Sequence, residues 1–417
     1  MSNNSANYQA QYVHVCNNAT GIHLVGGFKD LGPITTPLDT LSGPTSSAST
    51  KVAAQELAHF VEAWRYASAS LHAYMTNARA NAVHFAYYAE LRAALTLFAH
   101  SGISVNQVAG CFFLDASGTL MPFSMAKNPT HTTVWGLWKE WVKRADAKDL
   151  LGGLRLTAGV KLKDIADTLS LYAAPAILKG WGYDLIEQTL EDHTWRNKSS
   201  YDPLFATEHL FQMDIQCVGL IKDIWHSLVG GQGGVGFDEN YIRFLVDRSA
   251  RALVGAADSQ AGIDMEVEEA VRRKREQIIA SVSASTGTSA EMIRISLNQE
   301  IHRDMLKKAD EHSSAPENVL SRAFFLLRLA ALAIESNLGA SDSAPARQWL
   351  RNWLVNAGLY AENSEIQIED VRQDYEEALA SFAPVGPFPS GIWISGMSEH
   401  ANRLARPEAF LSWGLPL

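Results

Sequence analysis

The chain has 417 residues, long enough for roughly two or three hydrophobic cores. Hydrophobic residues make up 47% of it, so the composition is that of a globular protein and excludes wholesale disorder. With 35 basic and 45 acidic residues, the net charge is −10. That charge argues against broad, non-specific coating of nucleic acid, but it is compatible with one local basic cleft.

The cysteine pattern and the hydropathy favour a cytoplasmic protein without a membrane segment. Cys16, Cys111 and Cys217 lie far apart and form no CxxC pair, which is typical of reduced thiols. The N-terminal sequence MSNNSANYQAQYVHV lacks the basic region and apolar core of a secretory signal. The most apolar long run, 323–334, contains Arg328 and is too short to cross a bilayer.

The N-terminal region 1–50 is predicted to hold short strands followed by a linker. In 1–31, short apolar runs are broken by glycine, which favours one or two strands. Residues 32–50 are rich in Pro, Ser, Thr and Gly, the composition of a linker or surface loop. Helical patterning begins after this region, and we expect one helical domain over 51–229.

Two consecutive helices are predicted at the start of that domain, with a break near 77–80. Apolar residues recur there at intervals of three and four, first up to Ala78 and then from Ala82 to Phe98. Asn77 is placed to cap the second helix, and Gly102 marks its C-terminal end.

The periodicity changes at 108–123, where two short apolar runs flank the turn sequence DASG. This pattern predicts a β-hairpin. The next segment, THTTVWGLWKEWV, predicts a helix over 130–142 with Trp135 and Trp138 on one face. Further helical patterns continue from there to residue 229.

The glycine-rich loop 230–236 is the best candidate for a domain boundary, and 237–417 is predicted to be a C-terminal helical domain. The loop fits neither GxxxxGK[ST] nor a GxGxxG that follows a strand, so it predicts no nucleotide site. The expected fold class is mainly α: one or more multi-helix bundles, a small β-hairpin element near 108–123 and short N-terminal strands.

The stretch 71–103 combines helical periodicity with polar and aromatic side chains, and it contains Arg79 and His84. A histidine can act as general base on a ribose 2′-OH or as acid to the leaving oxygen. An arginine can stabilise the charge that develops on the phosphate. On an unbroken helix, five residues separate two side chains by about 140°. We therefore expect the helix to begin between them, or a second subunit to complete the site.

Tyr88, Arg92 and His131 complete the set of candidate catalytic residues. Tyr88 lies four residues after His84 and four before Arg92, on the same side of a helix, so the tyrosine can orient the histidine. His131 precedes the tryptophan-rich helix and can be the acid/base partner of His84. The same spacings also suit a buried hydrogen-bonded network that holds helices in register. Because HExxH, GxSxG and ligand-spaced Cys/His groups are missing from the sequence, we predict no metal and no cofactor.

The sequence ARANAVHFAYYAELRAALTLFAHSGI, with the DASG hairpin and THTTVWGLW after it, resembles the HEPN superfamily of helical bacterial proteins associated with phage-defence loci. The resemblance covers about residues 55–142. It implies a helical bundle, a frequent dimer and an arginine–histidine ribonuclease site carried by Arg79 and His84. Ala80 follows the arginine where active members have a polar residue, so the resemblance also allows a non-catalytic role.

Two functional hypotheses arise from these patterns. In the first, the protein is a cytoplasmic antiphage-defence or toxin-type ribonuclease that needs no metal, with Arg79 on the phosphate, His84 as acid/base, and Tyr88 and Arg92 in support. In the second, it is a non-catalytic scaffold or sensor subunit of a multi-protein defence complex, since its eleven tryptophans suit interfaces. Both expect a homo-oligomer or partner proteins from the same operon, and the first adds RNA as a substrate.

Overall fold

The computed structural model confirms a mainly α-helical protein with one small antiparallel sheet. It describes residues 2–31, 47–76, 78–106, 110–123, 130–168, 185–202, 216–228, 236–255, 265–299, 301, 304–311, 313–341, 344–356, 373–378, 380 and 402–406.

The core of the N-terminal half is a pair of long helices, α3 (Ala48–Met75) and α4 (Arg79–His100), which pack side by side. Their boundaries confirm the predicted break. Asn77, the predicted cap, lies outside the described residues, and the N-cap of α4 is Ala78, whose side chain makes no capping bond. Gly102 follows α4 with φ +78°, a conformation that favours glycine, and a Cβ there would overlap the carbonyl oxygen of Thr20.

The N-terminal segment is helical, so the prediction of short strands in 1–31 is wrong. It forms α1 (Ser2–Asn18) and α2 (Leu24–Lys29). The buried residues of α1 include Tyr12, Val15 and Cys16, and their spacing of three and four is a helical period that the glycines after them obscured. Tyr12 packs against the backbone of Gly136, where any Cβ would collide with its ring.

The predicted hairpin is confirmed as β2 (Gly110–Leu114) and β3 (Leu120–Phe123), and a strand not predicted from the sequence, β1 (Ile103–Asn106), pairs with β2. All three strands are antiparallel, in the order β1-β2-β3. The turn depends on Asp115, whose Oδ1 accepts hydrogen bonds from the backbone N–H groups of Ser117 at 2.9 Å and Thr119 at 3.0 Å.

Further helices within the described residues have these bounds: α5 (Thr130–Trp141), α6 (Ala145–Gly152), α7 (Leu162–Thr168), α8 (Leu185–Tyr201), α9 (Gln216–Leu228), α10 (Gly236–Leu253), α11 (Met265–Thr286), α12 (Ala290–Leu297), α13 (Asp304–Asp310), α14 (Pro316–Ser341) and α15 (Ala344–Asn356). The predicted boundary loop lies outside the described residues except for Gly236, where α10 begins. None of the helices in the described ranges is long and apolar enough to cross a membrane.

Helix α14, from the C-terminal half, packs against both α3 and α4. Phe324 meets Trp64 edge-to-face, with 6.2 Å between ring centroids. Asn337 donates from its amide to both oxygens of the buried Glu56, at 2.9 and 3.0 Å, and His100 lies 3.3 Å from the same carboxylate. Burial raises the pKa of Glu56. Polar bonds as well as apolar contacts therefore fix α14 on the helix pair.

A buried ionic triad joins three helices: Glu90 of α4, Asp192 of α8 and Arg322 of α14. The Arg322 guanidinium lies 3.4 Å from Glu90 and 2.8 Å from Asp192, and all three side chains have 1% exposure or less. Two carboxylates share one guanidinium, so full ionisation would leave one uncompensated negative charge in the core. Burial raises the pKa of Glu90, with repulsion by Asp192 as the second cause, and burial also raises the pKa of Asp192. The triad therefore favours retention of one proton.

We expect Arg322→Met to lower the free energy of unfolding by about 3–5 kcal/mol, because it leaves two buried carboxylates without a counter-charge. Glu90→Gln keeps the pair between Arg322 and Asp192 and is expected to cost far less. Chemical denaturation at pH 7 measures both effects. Arg272→Met is the matched control, since Arg272 is exposed and pairs with the exposed Glu269. Equal stability of the Arg322 and Arg272 variants would contradict the role of the triad.

The same variants test the pH dependence of stability. Burial raises the pKa of Glu90 above 4.5, the ordinary value for glutamate. A protein with such a carboxyl is most stable below that ordinary value. Its free energy of unfolding falls as the pH rises from 4.5 through the raised pKa. The wild-type protein should therefore lose stability over this window, and Glu90→Gln should lose less. Identical pH profiles of unfolding for the two proteins would show that the triad holds no extra proton.

Candidate functional site

Helices α4, α5 and α8 bring together a group of polar and aromatic side chains that we call the histidine cluster. Its members share direct ring contacts or hydrogen bonds, and they are His84, Tyr87, Tyr88, His131, His193 and Arg196. Helix α4 contributes the first three from positions three and four apart, which lie on one side of a helix. Helix α8 contributes His193 and Arg196, and α5 contributes His131 from its first turn.

The two histidines that face each other most closely are His131 and His193. Their ring centroids are 4.8 Å apart, and Tyr87 packs on both, at 6.1 and 5.8 Å. The Tyr87 hydroxyl is held by the Trp135 indole N–H at 3.2 Å, and burial raises the pKa of that hydroxyl. Nδ1 of His131 is buried and has no hydrogen-bond partner among the described residues. This nitrogen of His131 is therefore not committed to a hydrogen bond within the described part of the chain.

His84 is held in one tautomer by Ser200 of α8. The Ser200 hydroxyl donates to the carbonyl oxygen of Arg196 at 2.9 Å, so it accepts from Nδ1–H of His84 at 2.8 Å. The proton on Nδ1 leaves Nε2 as the basic nitrogen. The His84 ring also lies against Tyr88, with 5.0 Å between centroids. Ser200 as well as Tyr88 therefore contacts the His84 ring.

Arg196 is the positive charge that all three histidines share. Its guanidinium lies 4.9 Å from the centroid of the Tyr88 ring, bonds the Tyr88 hydroxyl, and donates to Oδ1 of Asn197 at 2.7 Å. Burial is the largest cause of the lowered pKa of His84, of His131 and of His193; Arg196 lowers each pKa further, in His131 after the effect of His193. The pKa of His131 falls to about 4. At neutral pH the cluster therefore presents three neutral imidazoles around one guanidinium.

The bonding of Arg196 differs from that of the other buried arginines. Among the described residues, four arginines are buried, and three of them have a carboxylate partner. Those pairs are Arg243 with Glu239, Arg322 with Asp192 and Arg328 with Asp238. Arg196 is 8% exposed, yet the described part of the chain gives it only a phenol and an amide. A nearly buried guanidinium without a counter-charge is costly, so this position favours an anionic ligand.

The structure places the five predicted site residues in two groups. His84, Tyr88 and His131 belong to the histidine cluster. Arg79 instead donates to both carboxylate oxygens of Glu317, at 3.1 and 3.2 Å, and Arg92 lies 3.0 Å from Glu62 and 3.1 Å from His59.

The helical path explains why Arg79 and His84 do not converge. Helix α4 begins at Arg79, not between the two residues, so both positions are helical and diverge by about 140°. The pair is therefore not brought together within one chain.

Sequence reasoning missed His193 and Arg196. A signal was present, because His193, Arg196, Asn197 and Ser200 follow the spacing three, four and seven along α8. This polar stripe contains a cation and no acid. Its meaning depended on the partner helices, since Tyr88 lies 108 positions from Arg196 and His131 lies 62 positions from His193 in the sequence.

No group of three or more His, Cys, Asp or Glu side chains within the described residues is arranged to hold a metal ion. No family model matches the chain, and no curated protein or solved structure matches it. The resemblance to the HEPN superfamily therefore stays a prediction from the sequence, and the case for a function depends on the geometry of the histidine cluster.

Replacing Arg196 tests whether its charge acts on the histidines. In Arg196→Gln the pKa of His84, His131 and His193 should each rise, because the charge that opposes their protonation is gone; His131 should stay below 6.5 because burial is its larger cause. Histidine titration by NMR measures all three. Lys198→Gln removes the same charge from an exposed position of α8 and should shift none of them. If the pKa values of the three histidines are unchanged in Arg196→Gln, the arginine has no electrostatic effect on the cluster.

Proposed function

We propose that the protein is a ribonuclease that cleaves RNA without a metal ion, with the histidine cluster as its active site. One observation carries the proposal: the buried Arg196 lacks a carboxylate among the described residues, and its charge acts on three histidines whose pKa is lowered. A phosphodiester supplies the anion that this guanidinium lacks. In this proposal Arg196 takes the role that the sequence hypothesis gave to Arg79.

The proposed reaction is a transphosphorylation. Nε2 of His84 accepts the proton of the ribose 2′-OH, the 2′ oxygen attacks phosphorus, and the bond from phosphorus to the 5′ oxygen breaks. The pair of His131 and His193 delivers a proton to that leaving oxygen, so the products are a 2′,3′-cyclic phosphate and a 5′-hydroxyl. The substrate phosphate raises the pKa of the pair by its negative charge, and this allows one of the two rings to carry the proton.

The wider biological assignment is part of the same proposal. Cleavage of cellular or phage RNA places the protein in the cytoplasm, and the role in antiphage defence is supported only by the sequence resemblance.

The alternative is a non-catalytic scaffold or sensor subunit. It is favoured by Met292 and Ile295 of α12, apolar neighbours on one helical face that are 53% and 57% exposed. Purification from the native operon separates the two roles, since the scaffold predicts bound neighbouring gene products without turnover of RNA.

We expect the purified protein to cleave single-stranded RNA in the presence of EDTA and to leave 2′,3′-cyclic phosphate ends. His84→Ala and Arg196→Gln should each lower kcat/KM by about a hundredfold or more. His14→Ala, which removes an exposed histidine on α1, is the control and should be neutral. Arg79→Gln should retain activity. If Arg79→Gln loses activity and Arg196→Gln keeps full activity, Arg79 and not Arg196 binds the phosphate.

The pH dependence of cleavage provides a second test. The reaction needs a neutral base and a protonated acid, so kcat/KM should follow a bell-shaped curve. The parameter kcat/KM reports the free enzyme, in which the pKa of each of these histidines is lowered from 6.5, so the maximum should lie below pH 6.5. Removal of the Arg196 charge raises those pKa values, so any residual activity of Arg196→Gln should peak at higher pH. A maximum in alkaline solution would contradict the assignment of histidines to both roles.

A further inference from the structure

Beside the histidine cluster lies a set of aromatic rings that the proposed reaction does not use. Tyr66 of α3 stacks on Tyr88 of α4, with 5.2 Å between centroids and 26° between the ring planes. Phe85 lies next to Tyr66 at 6.3 Å and meets His84 edge-to-face at 5.4 Å. Tyr66, Phe85 and Tyr88 are all partly exposed, unlike the aromatic residues in the centre of the bundle. We call Tyr66 and Phe85 the aromatic ledge.

The ledge is continuous with the proposed phosphate site. The guanidinium of Arg196 lies on the Tyr88 ring, and Tyr66 also stacks on that ring. A cation for a phosphate and flat rings for bases are therefore adjacent on one surface. This is the combination by which proteins hold single-stranded nucleic acid, because every base has a flat face and a single strand leaves that face free.

The charges beside the ledge do not oppose a nucleic acid. Glu62, one turn before Tyr66 on α3, is an acidic side chain near the ledge among the described residues, and Arg92 lies 3.0 Å from its carboxylate. His59, whose pKa is lowered chiefly by burial, contacts the same arginine at 3.1 Å. Arg65 next to Tyr66 is exposed. Arg92, which the sequence hypothesis placed in the active site, therefore neutralises the acid that would repel a strand on the ledge.

We propose that Tyr66 and Phe85 form a base-stacking subsite that makes the protein select single-stranded over double-stranded RNA. The subsite rests on the proposed function, because it assumes that Arg196 binds a phosphate of the same strand. The base next to the scissile phosphate lies on the ledge, while a duplex keeps that base inside its own stack and leaves the ledge empty. Tyr66 and Phe85 are thus specificity residues that take no part in proton transfer.

Binding is measured with a labelled, single-stranded 2′-O-methyl RNA, which cannot be cleaved because it lacks the 2′ nucleophile. Tyr66→Ala should weaken binding about tenfold or more, the size of one lost stacking contact, and Phe85→Ala should also weaken it. Tyr66→Phe keeps the ring and should bind within about twofold of wild type. The same sequence as a duplex should bind wild type weakly and should not respond to Tyr66→Ala. Thermal unfolding of each variant checks that the fold is intact.

The outcomes distinguish the subsite from the ribonuclease activity. One result is that the wild-type protein binds single-stranded RNA and loses affinity in Tyr66→Ala, yet cleaves no RNA. That result would support the subsite and overturn the proposed catalysis. If wild type cleaves RNA, and the folded variants Tyr66→Ala and Phe85→Ala bind and cleave it equally well, the subsite is overturned and the proposed catalysis is retained. Equal affinity for single strand and duplex would overturn the selectivity, and no binding by wild type would overturn both proposals.

Discussion

The arrangement of the candidate site depends on one buried interaction, the contact of Arg322 with Glu90 and Asp192. Asp192 precedes His193 directly, so the ion pair that turns Asp192 toward the core turns His193 and Arg196 toward α4 and α5. Glu90 lies two and three residues beyond Tyr88 and Tyr87 on α4. The triad therefore fixes the rotation of both helices that supply most of the histidine cluster.

Charge pairing also distinguishes Arg196 from other buried or partly buried arginines in the described part of the chain. Arg79, Arg92, Arg243, Arg322 and Arg328 each contact a carboxylate of another turn or another helix. Such pairs need no ligand, since each guanidinium already has its counter-charge. Arg196 bonds a phenol and an amide instead, and both are neutral. On the proposed function, a phosphate binds where the described residues supply Arg196 with no negative charge.

Much of the fold could be predicted from the sequence, because the helices and the hairpin are encoded by local periodicity and turn residues. The break after Met75, the glycine at 102 and the DASG turn are local signals of this kind. The N-terminal helix was misjudged because glycine-broken apolar runs after it suggested strands. β1 was missed because its pairing with β2, and not its own four residues, makes it a strand.

Only part of the site could be predicted, because local spacing determines some of its contacts and tertiary packing determines the others. His84 and Tyr88 lie one turn apart on α4, and local spacing therefore brings them together. Whether an arginine faces them depends on which distant acid binds it: Glu317 binds Arg79 from 238 positions away in the sequence. Arg196 reaches Tyr88 across 108 positions, through a helix whose rotation is set by Arg322. These choices come from tertiary contacts that a linear pattern does not contain.

The position of Arg322 along the chain has a consequence for biosynthesis. Translation makes α3, α4 and α8 long before it makes α14, so an emerging polypeptide carries the histidines and Arg196 without the guanidinium that orients them. Until that late helix leaves the ribosome and docks, Glu90 and Asp192 favour water over the interior. On the proposed function, the nascent enzyme stays inert beside the messenger that encodes it and becomes competent only when α14 is in place.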